Sequence, residues 1–155
     1  MKKYIFFIFS LVAVSGIHCL RGKSGCNNVS PSSEAAQMQS YANSQGINPS
    51  ITPSGLYYQV INPGSGVTPN LNSVISVNYT GKLLDGTVFD SHTGVPLVAA
   101  LGGLIQGWQI GLQLIQKGGE IKLIIPSSLA YGCQGAGSIP ANSIVYFDVV
   151  LVDVQ

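Results

Sequence analysis

The chain reads as one α+β domain, an antiparallel sheet covered by a single short helix, and two patterns carry that reading. Apolar residues alternate with period two in four separate runs: Leu56, Tyr58, Val60; Ile75, Val77, Tyr79; Ile121, Leu123, Ile125; and Val145, Phe147, Val149, Leu151. Between the second and third runs lies one stretch of helical period, in which Trp108, Gly111, Leu112 and Ile115 share a face before Gly118-Gly119 stops it. A sheet with one apolar face must bury it, and this helix is the available cover. At 155 residues and 46% hydrophobic content there is room for one core with appendages.

In chain order, Lys2-Lys3 precedes the apolar run Tyr4 to Val14, and residues 1–18 read as an export signal, too short a run to cross a bilayer comfortably. Ala13-Val14-Ser15 offers a small-residue cleavage site, whereas Cys19 is a candidate for lipidation, with Cys26 in no better context; both outcomes stay open. Residues 19–33 are polar and rich in Gly, Asn and Ser, a tether. Ser32-Ser33 then lead into residues 34–53, a short helix and linker, with Glu34 in the first turn, Gly46 past the end, and Ala35, Met38 and Ala42 at helical spacing for packing on the domain. The sheet domain occupies 54–155, with a turn at Asn62-Pro63-Gly64-Ser65-Gly66.

Charge narrows the function classes. Charged residues make up 8% of the chain, and from residue 27 onward three lysines face six carboxylates, a net charge of −3, which excludes a nucleic-acid backbone as partner. The three cysteines do not have zinc-site spacing and only His92 lies near enough to help, so no metal is expected. Cys26 and Cys133 remain to pair in an oxidising compartment, but spacing does not decide it. Any contact with a membrane is expected only through the signal or a lipid anchor.

The acid–base inventory is thin. Downstream of the signal His92 is the only histidine, no serine is placed beside it as a nucleophile, and the acids are scattered rather than paired. What the chain does supply is a set of aromatic and branched side chains, Tyr79, Phe89, Leu104, Ile105, Trp108, Tyr131, Ile139 and Phe147, enough to line an apolar pocket with a few polar tips. Such a pocket needs no nucleophile to catalyse rotation about an X-Pro amide, because the twisted transition state has lost much of its dipole and is favoured by an apolar site.

The motifs Val77-Asn78-Tyr79-Thr80-Gly81, Gly86-Thr87-Val88-Phe89-Asp90-Ser91, Ile105-Gln106-Gly107-Trp108, Leu129-Ala130-Tyr131-Gly132, Ile139-Pro140-Ala141-Asn142 and Phe147-Asp148 follow one another in an order and spacing that resembles the FKBP-type peptidyl-prolyl cis/trans isomerases. The resemblance covers the domain from residue 54 on. It implies a half-barrel sheet wrapped on the helix, a prolyl isomerase without cofactor, and proline-containing segments of exported or unfolded proteins as substrate, with macrolide inhibitors as further ligands. By the same resemblance Trp108 floors the pocket, Tyr131 hydrogen-bonds a substrate carbonyl with help from the Ile105 N–H, Asp90 fixes Tyr79, and Phe89, Ile139 and Phe147 complete the walls. Relatives that dimerise use longer N-terminal helices, so a monomer is expected here, in the periplasm or anchored as a lipoprotein.

Departures from the pattern also carry expectations. Leu97 and Ala99 stand where aromatic rings usually do, the stretch Ala100 to Leu104 is shorter than its counterpart and leaves open which of Leu104 and Ile105 faces substrate, and the loop Gly132 to Ser138 is small and glycine-rich. These imply a shallower, more mobile pocket with reduced activity and macrolide affinity. The competing reading is a non-catalytic peptide-binding or chaperone module on the same fold.

Overall fold

A computed structural model describes residues 25–155. The signal segment 1–18 and Cys19 lie outside the described residues. The elements in order are α1 (Pro31–Ser44), β1 (Ser50–Ile51), β2 (Tyr57–Asn62), β3 (Val74–Leu83), β4 (Val88–Ala100), α2 (Gln106–Gly111), β5 (Glu120–Ile125) and β6 (Val145–Val154). The six strands form one sheet, ordered β1-β2-β5-β6-β3-β4, with every neighbouring pair antiparallel.

The four alternating runs become β2, β3, β5 and β6, and their inward residues make the main core. Leu56, Ile75, Val77, Ile121, Leu123, Ile125, Val145, Val149 and Leu151 pack there with Trp108, Leu112 and Ile115 from the helical stretch. That stretch is α2 continued by a 3-10 turn over Leu112–Leu114. Gly107 and Gly111 explain how closely it lies on the sheet: a Cβ at Gly107 would sit 2.4 Å from Ile125 Cγ2, and one at Gly111 would sit 2.6 Å from Leu123 Cδ2. Two missing side chains on one helical face therefore let α2 touch β5 directly.

Three features depart from the sequence reading. Helix α1 starts at Pro31, inside the segment read as tether, because proline is well suited to the first helical turn. The two-residue strand β1 pairs with β2 through Ser50↔Tyr58 and Ile51↔Tyr57, so the sheet begins ahead of residue 54. Strand β4, which has no period-two apolar pattern, is the longest, at 13 residues. Its register against β3 jumps between Val77↔Leu97 and Tyr79↔His92, so residues 93–96 bulge out opposite Asn78. This strand alternates poorly because the bulge shifts its faces and no residue along it is fully buried on either face.

Helix α1 packs on the other face of the sheet, in a second cluster of Met38, Tyr41 and Ala42 with Ile47, Tyr57, Ile124, Ile144 and Tyr146. Tyr41 and Tyr146 meet ring to ring at 5.5 Å. Ahead of the helix, Cys26 is disulfide-bonded to Cys133, with Cα atoms 5.4 Å apart, which ties the polar segment and the glycine-rich loop to each other. Among the described residues no helix is long and apolar enough to cross a membrane, and no cluster of His, Cys, Asp or Glu could hold a metal.

Candidate active site

On the concave side of the sheet lies a cavity of about 200 Å³ lined by Tyr79, Asp90, Leu97, Leu104, Ile105, Trp108, Tyr131 and Phe147. Several elements and junctions contribute to it. Tyr79 comes from β3, Asp90 and Leu97 from β4 on either side of its bulge, Trp108 from α2, and Phe147 from β6. Leu104 and Ile105 come from the turn into α2, and Tyr131 comes from the loop between β5 and β6.

Trp108, 3% exposed, forms the base of an aromatic cluster. Its indole meets Tyr79 edge to face at 5.0 Å and Phe147 at 5.2 Å, and Phe147 in turn meets Phe89 at 5.5 Å. These T-shaped arrangements place positive ring edges on negative ring faces, the favoured geometry for aromatic pairs. The cluster exists because Gly81 has no side chain: a Cβ there would lie 2.7 Å from both Phe89 and Phe147. The indole Nε1 is buried with no acceptor among the described residues.

The polar atoms are few and ordered. The Tyr79 hydroxyl donates to Asp90 Oδ2, and Asp90 Oδ1 accepts from the Ser91 N–H at 2.8 Å. Burial, then the hydrogen bond to Asp90, pushes the Tyr79 phenol far above its ordinary range. Burial also raises Tyr131, with the Asp90 charge adding to it. Both phenols are therefore neutral donors at physiological pH. Ile105 caps α2, its carbonyl accepting from the N–H groups of Trp108 and Gln109 at 2.9 and 3.1 Å. Tyr131 sits at φ −104° and ψ −1°, the sparsely populated bridge region that many active-site residues use.

The residues singled out in the sequence are distributed as follows. Tyr79, Asp90, Leu97, Leu104, Ile105, Trp108, Tyr131 and Phe147 converge on the cavity, and both Leu104 and Ile105 face it. Phe89 stands behind, edge-on to Tyr131 at 6.3 Å. Ile139 is buried in the main core, its backbone paired with Ala136, and does not line the cavity. Ala99 pairs with Ile75, also away from the cavity. Asp148 points to the opposite face of the sheet from Phe147 and pairs with Lys122 at 3.2 Å. His92 stacks on Tyr79 at 5.4 Å, with Nδ1 3.2 Å from the Val95 carbonyl oxygen; it serves the aromatic cluster rather than a nucleophile. Gly81 and the cross-strand stack of His92 are the contributions that period and motif did not single out, although Gly81 closes the Val77-to-Gly81 motif.

A half-barrel sheet around one short helix, with an aromatic cavity over a buried tryptophan, defines a class of apolar-pocket binding domains. Residues 66–152 match the model of the family described as FKBP-type peptidyl-prolyl cis-trans isomerase, and this chain belongs to that family. Among curated relatives it is 48% identical over 119 residues to the FKBP-type peptidyl-prolyl cis-trans isomerase FkpA of Escherichia coli K12, covering 76% of this chain and 43% of the relative. It is 43% identical over 120 residues to the FKBP-type 22 kDa isomerase of the same organism, covering 76% of this chain and 57% of that one. The crystal structure of Escherichia coli FkpA superposes with a TM-score of 0.72 at 41% identity, over 81% of this chain and 61% of that one. A prolyl isomerase structure from Pseudomonas syringae pv. tomato gives 0.67 at 29% identity, over 83% and 98%. The match thus spans less than half the length of FkpA as a curated relative.

Proposed function

We propose that this protein is a peptidyl-prolyl cis-trans isomerase acting on proline-containing segments of exported or unfolded polypeptides. The observation that carries the reading is a cavity whose floor is Trp108 and whose polar groups are two neutral tyrosines held near one carboxylate. X-Pro rotation has a barrier of ~18–20 kcal/mol and takes tens to hundreds of seconds unaided. An apolar site lowers it because the twisted amide has less dipole to desolvate than the planar one. Lowering it by ~6 kcal/mol accelerates rotation by about 10⁴.

In this reading the proline ring lies on Trp108 between Tyr79 and Phe147, with Leu97, Leu104 and Ile105 excluding water. The Tyr131 hydroxyl donates to the carbonyl of the residue before or after proline, and the Ile105 N–H serves as a second donor. Asp90 acts through Tyr79, whose ring it holds against Trp108. Phe89 supports Tyr131, and Ile139 supports the loop behind it. Leucine at position 97 makes a lower wall than an aromatic ring, which favours weaker binding of macrolide inhibitors. The chain acts as a monomer, since the apolar face of α1 is consumed by its own sheet. It works after export, in the periplasm or anchored through a lipid on Cys19. The Cys26–Cys133 bridge fits an oxidising compartment.

Refolding of a chain whose slow phase is prolyl isomerisation tests the proposal. The expected result is acceleration of that phase at substoichiometric protein, lost in Trp108→Ala. Folded protein that leaves the phase unchanged overturns it and favours the binding-module reading.

A further inference from the structure

Tyr131 lies in the loop between β5 and β6, flanked by 3-10 turns over Ser127–Leu129 and Gly132–Gln134. Both flanks are held by residues ahead of the sheet. Before Tyr131, the Ser127 N–H donates to Glu34 Oε2 at 2.9 Å, across 93 positions of sequence. After it, the Cys133 N–H donates to Asn28 Oδ1 at 3.0 Å, and Cys133 is bonded to Cys26. Gly132 has φ +60°, and a Cβ there would lie 2.7 Å from the same Asn28 oxygen, so the segment fits against the loop without room for a side chain.

The Glu34 contact is hard to explain as surface decoration. The residue is 6% exposed, and burying a carboxylate is costly unless its oxygens are hydrogen-bonded. It stands in the first turn of α1, which its own apolar cluster fixes to the sheet. The loop therefore hangs between a rigid helix and a covalent bridge, with Tyr131 between the two attachments. The floor and walls made by Trp108, Phe147, Leu97 and Leu104 belong to other elements.

We propose that residues 26–34 are a brace that positions Tyr131, through the Glu34 carboxylate, the Asn28 side chain and the Cys26–Cys133 disulfide, and that opening the disulfide lowers turnover without unseating substrate. This rests on the isomerase reading above. Both cysteines border a surface cavity of about 370 Å³ shared with Asn28 and Tyr131, which gives a dithiol reductant access to the sulfurs. A thiolate of the reductant attacks one sulfur to give a mixed disulfide, and its second thiolate resolves that bond. Two electrons and two protons end on Cys26 and Cys133 as thiols, and the reductant leaves as its own disulfide.

The test compares the full chain, oxidised and dithiol-reduced, with thiol titration confirming the state of the bridge. Two readouts are taken: kcat and KM on a prolyl peptide, and hydrogen exchange of the Ser127 and Cys133 amides. With the bridge open, exchange of both amides speeds up, kcat falls roughly tenfold, within what a misplacement of about 1 Å produces, and KM stays within about twofold. Asn28→Ala, at an exposed position that leaves folding intact, shows the same direction with a smaller loss. Glu34→Ala loses activity that Glu34→Gln largely restores, since an amide oxygen can also accept from Ser127. Unchanged exchange, or faster exchange with unchanged kcat, overturns the brace. Oxidised protein that accelerates nothing removes the isomerase reading instead, and the exchange comparison alone then decides whether the segment holds the loop.

Discussion

Replacing Gly81 by alanine probes how the aromatic cluster is built. The added methyl would stand 2.7 Å from Phe147 Cε1 and from Phe89 Cε2 and Cζ. Carbon atoms settle at ~3.5–4.0 Å, so each ring has to recede by about 1 Å. Phe89 is half-buried and can swing outward, but Phe147 is 2% exposed and wedged against Trp108 at 5.2 Å. Overpacking of this kind costs ~1–3 kcal/mol, and the smaller conformational freedom of unfolded alanine returns only ~0.4–1 kcal/mol. The net loss of about 1–2 kcal/mol lowers Tm by roughly 3–8 °C. Because Phe147 lines the cavity, kcat/KM falls by about tenfold or more, read in a peptide isomerisation assay. Thermal melts and kinetics that both match the parent protein would refute the claim that the missing side chain sets the position of these rings.

Removing only the Tyr79 hydroxyl, as Tyr79→Phe, keeps the ring against Trp108 and leaves Asp90 to be hydrated, so the loss is about 1 kcal/mol and no more than roughly fivefold in kcat/KM. A double-mutant cycle with Asp90→Ala recovers a coupling of similar size; zero coupling sinks the assigned hydrogen bond. Raised phenol pKa values make Tyr79 and Tyr131 protonated below the ordinary tyrosine value, and their donor role is lost only as pH rises through the still higher folded values. The rate profile is therefore flat from neutral to about pH 9.5, and a falling limb within that window contradicts the burial. His92→Ala removes one partly exposed stack on Tyr79 and changes kcat/KM by less than about threefold, whereas abolished activity points to acid–base chemistry instead.

The fold is legible in the sequence where one face of a strand or helix is buried and the other is not. Ile75, Ile121 and Phe147 sit on such elements, and their spacing alone marks out the sheet. Strand β4 is legible only in part, because its edge position and its bulge at residues 93–96 break the alternation that marks a strand. The cavity is legible as an ordered set of motifs, since the residues that line it all stand among those named from the sequence. Phe89 and Ile139 are the exceptions on the other side, both expected as walls: Phe89 stands behind Tyr131 and Ile139 is buried in the core, since an apolar side chain is equally suited to core and pocket wall and only the chain path decides. Contacts such as Glu34 with Ser127 join positions far apart in sequence and leave no periodic trace. The disulfide stays open in the sequence for the same reason, and it ties down a glycine-rich loop that composition alone describes as mobile.

The central claim, that an apolar aromatic cavity catalyses amide rotation without acid–base groups, is tested most directly by exchange spectroscopy on a short Xaa-Pro peptide, which follows cis–trans interconversion with no coupled protease. Acceleration by the parent protein that vanishes in Trp108→Ala and persists in His92→Ala is the predicted result. Peptide binding without any change in interconversion rate would contradict it.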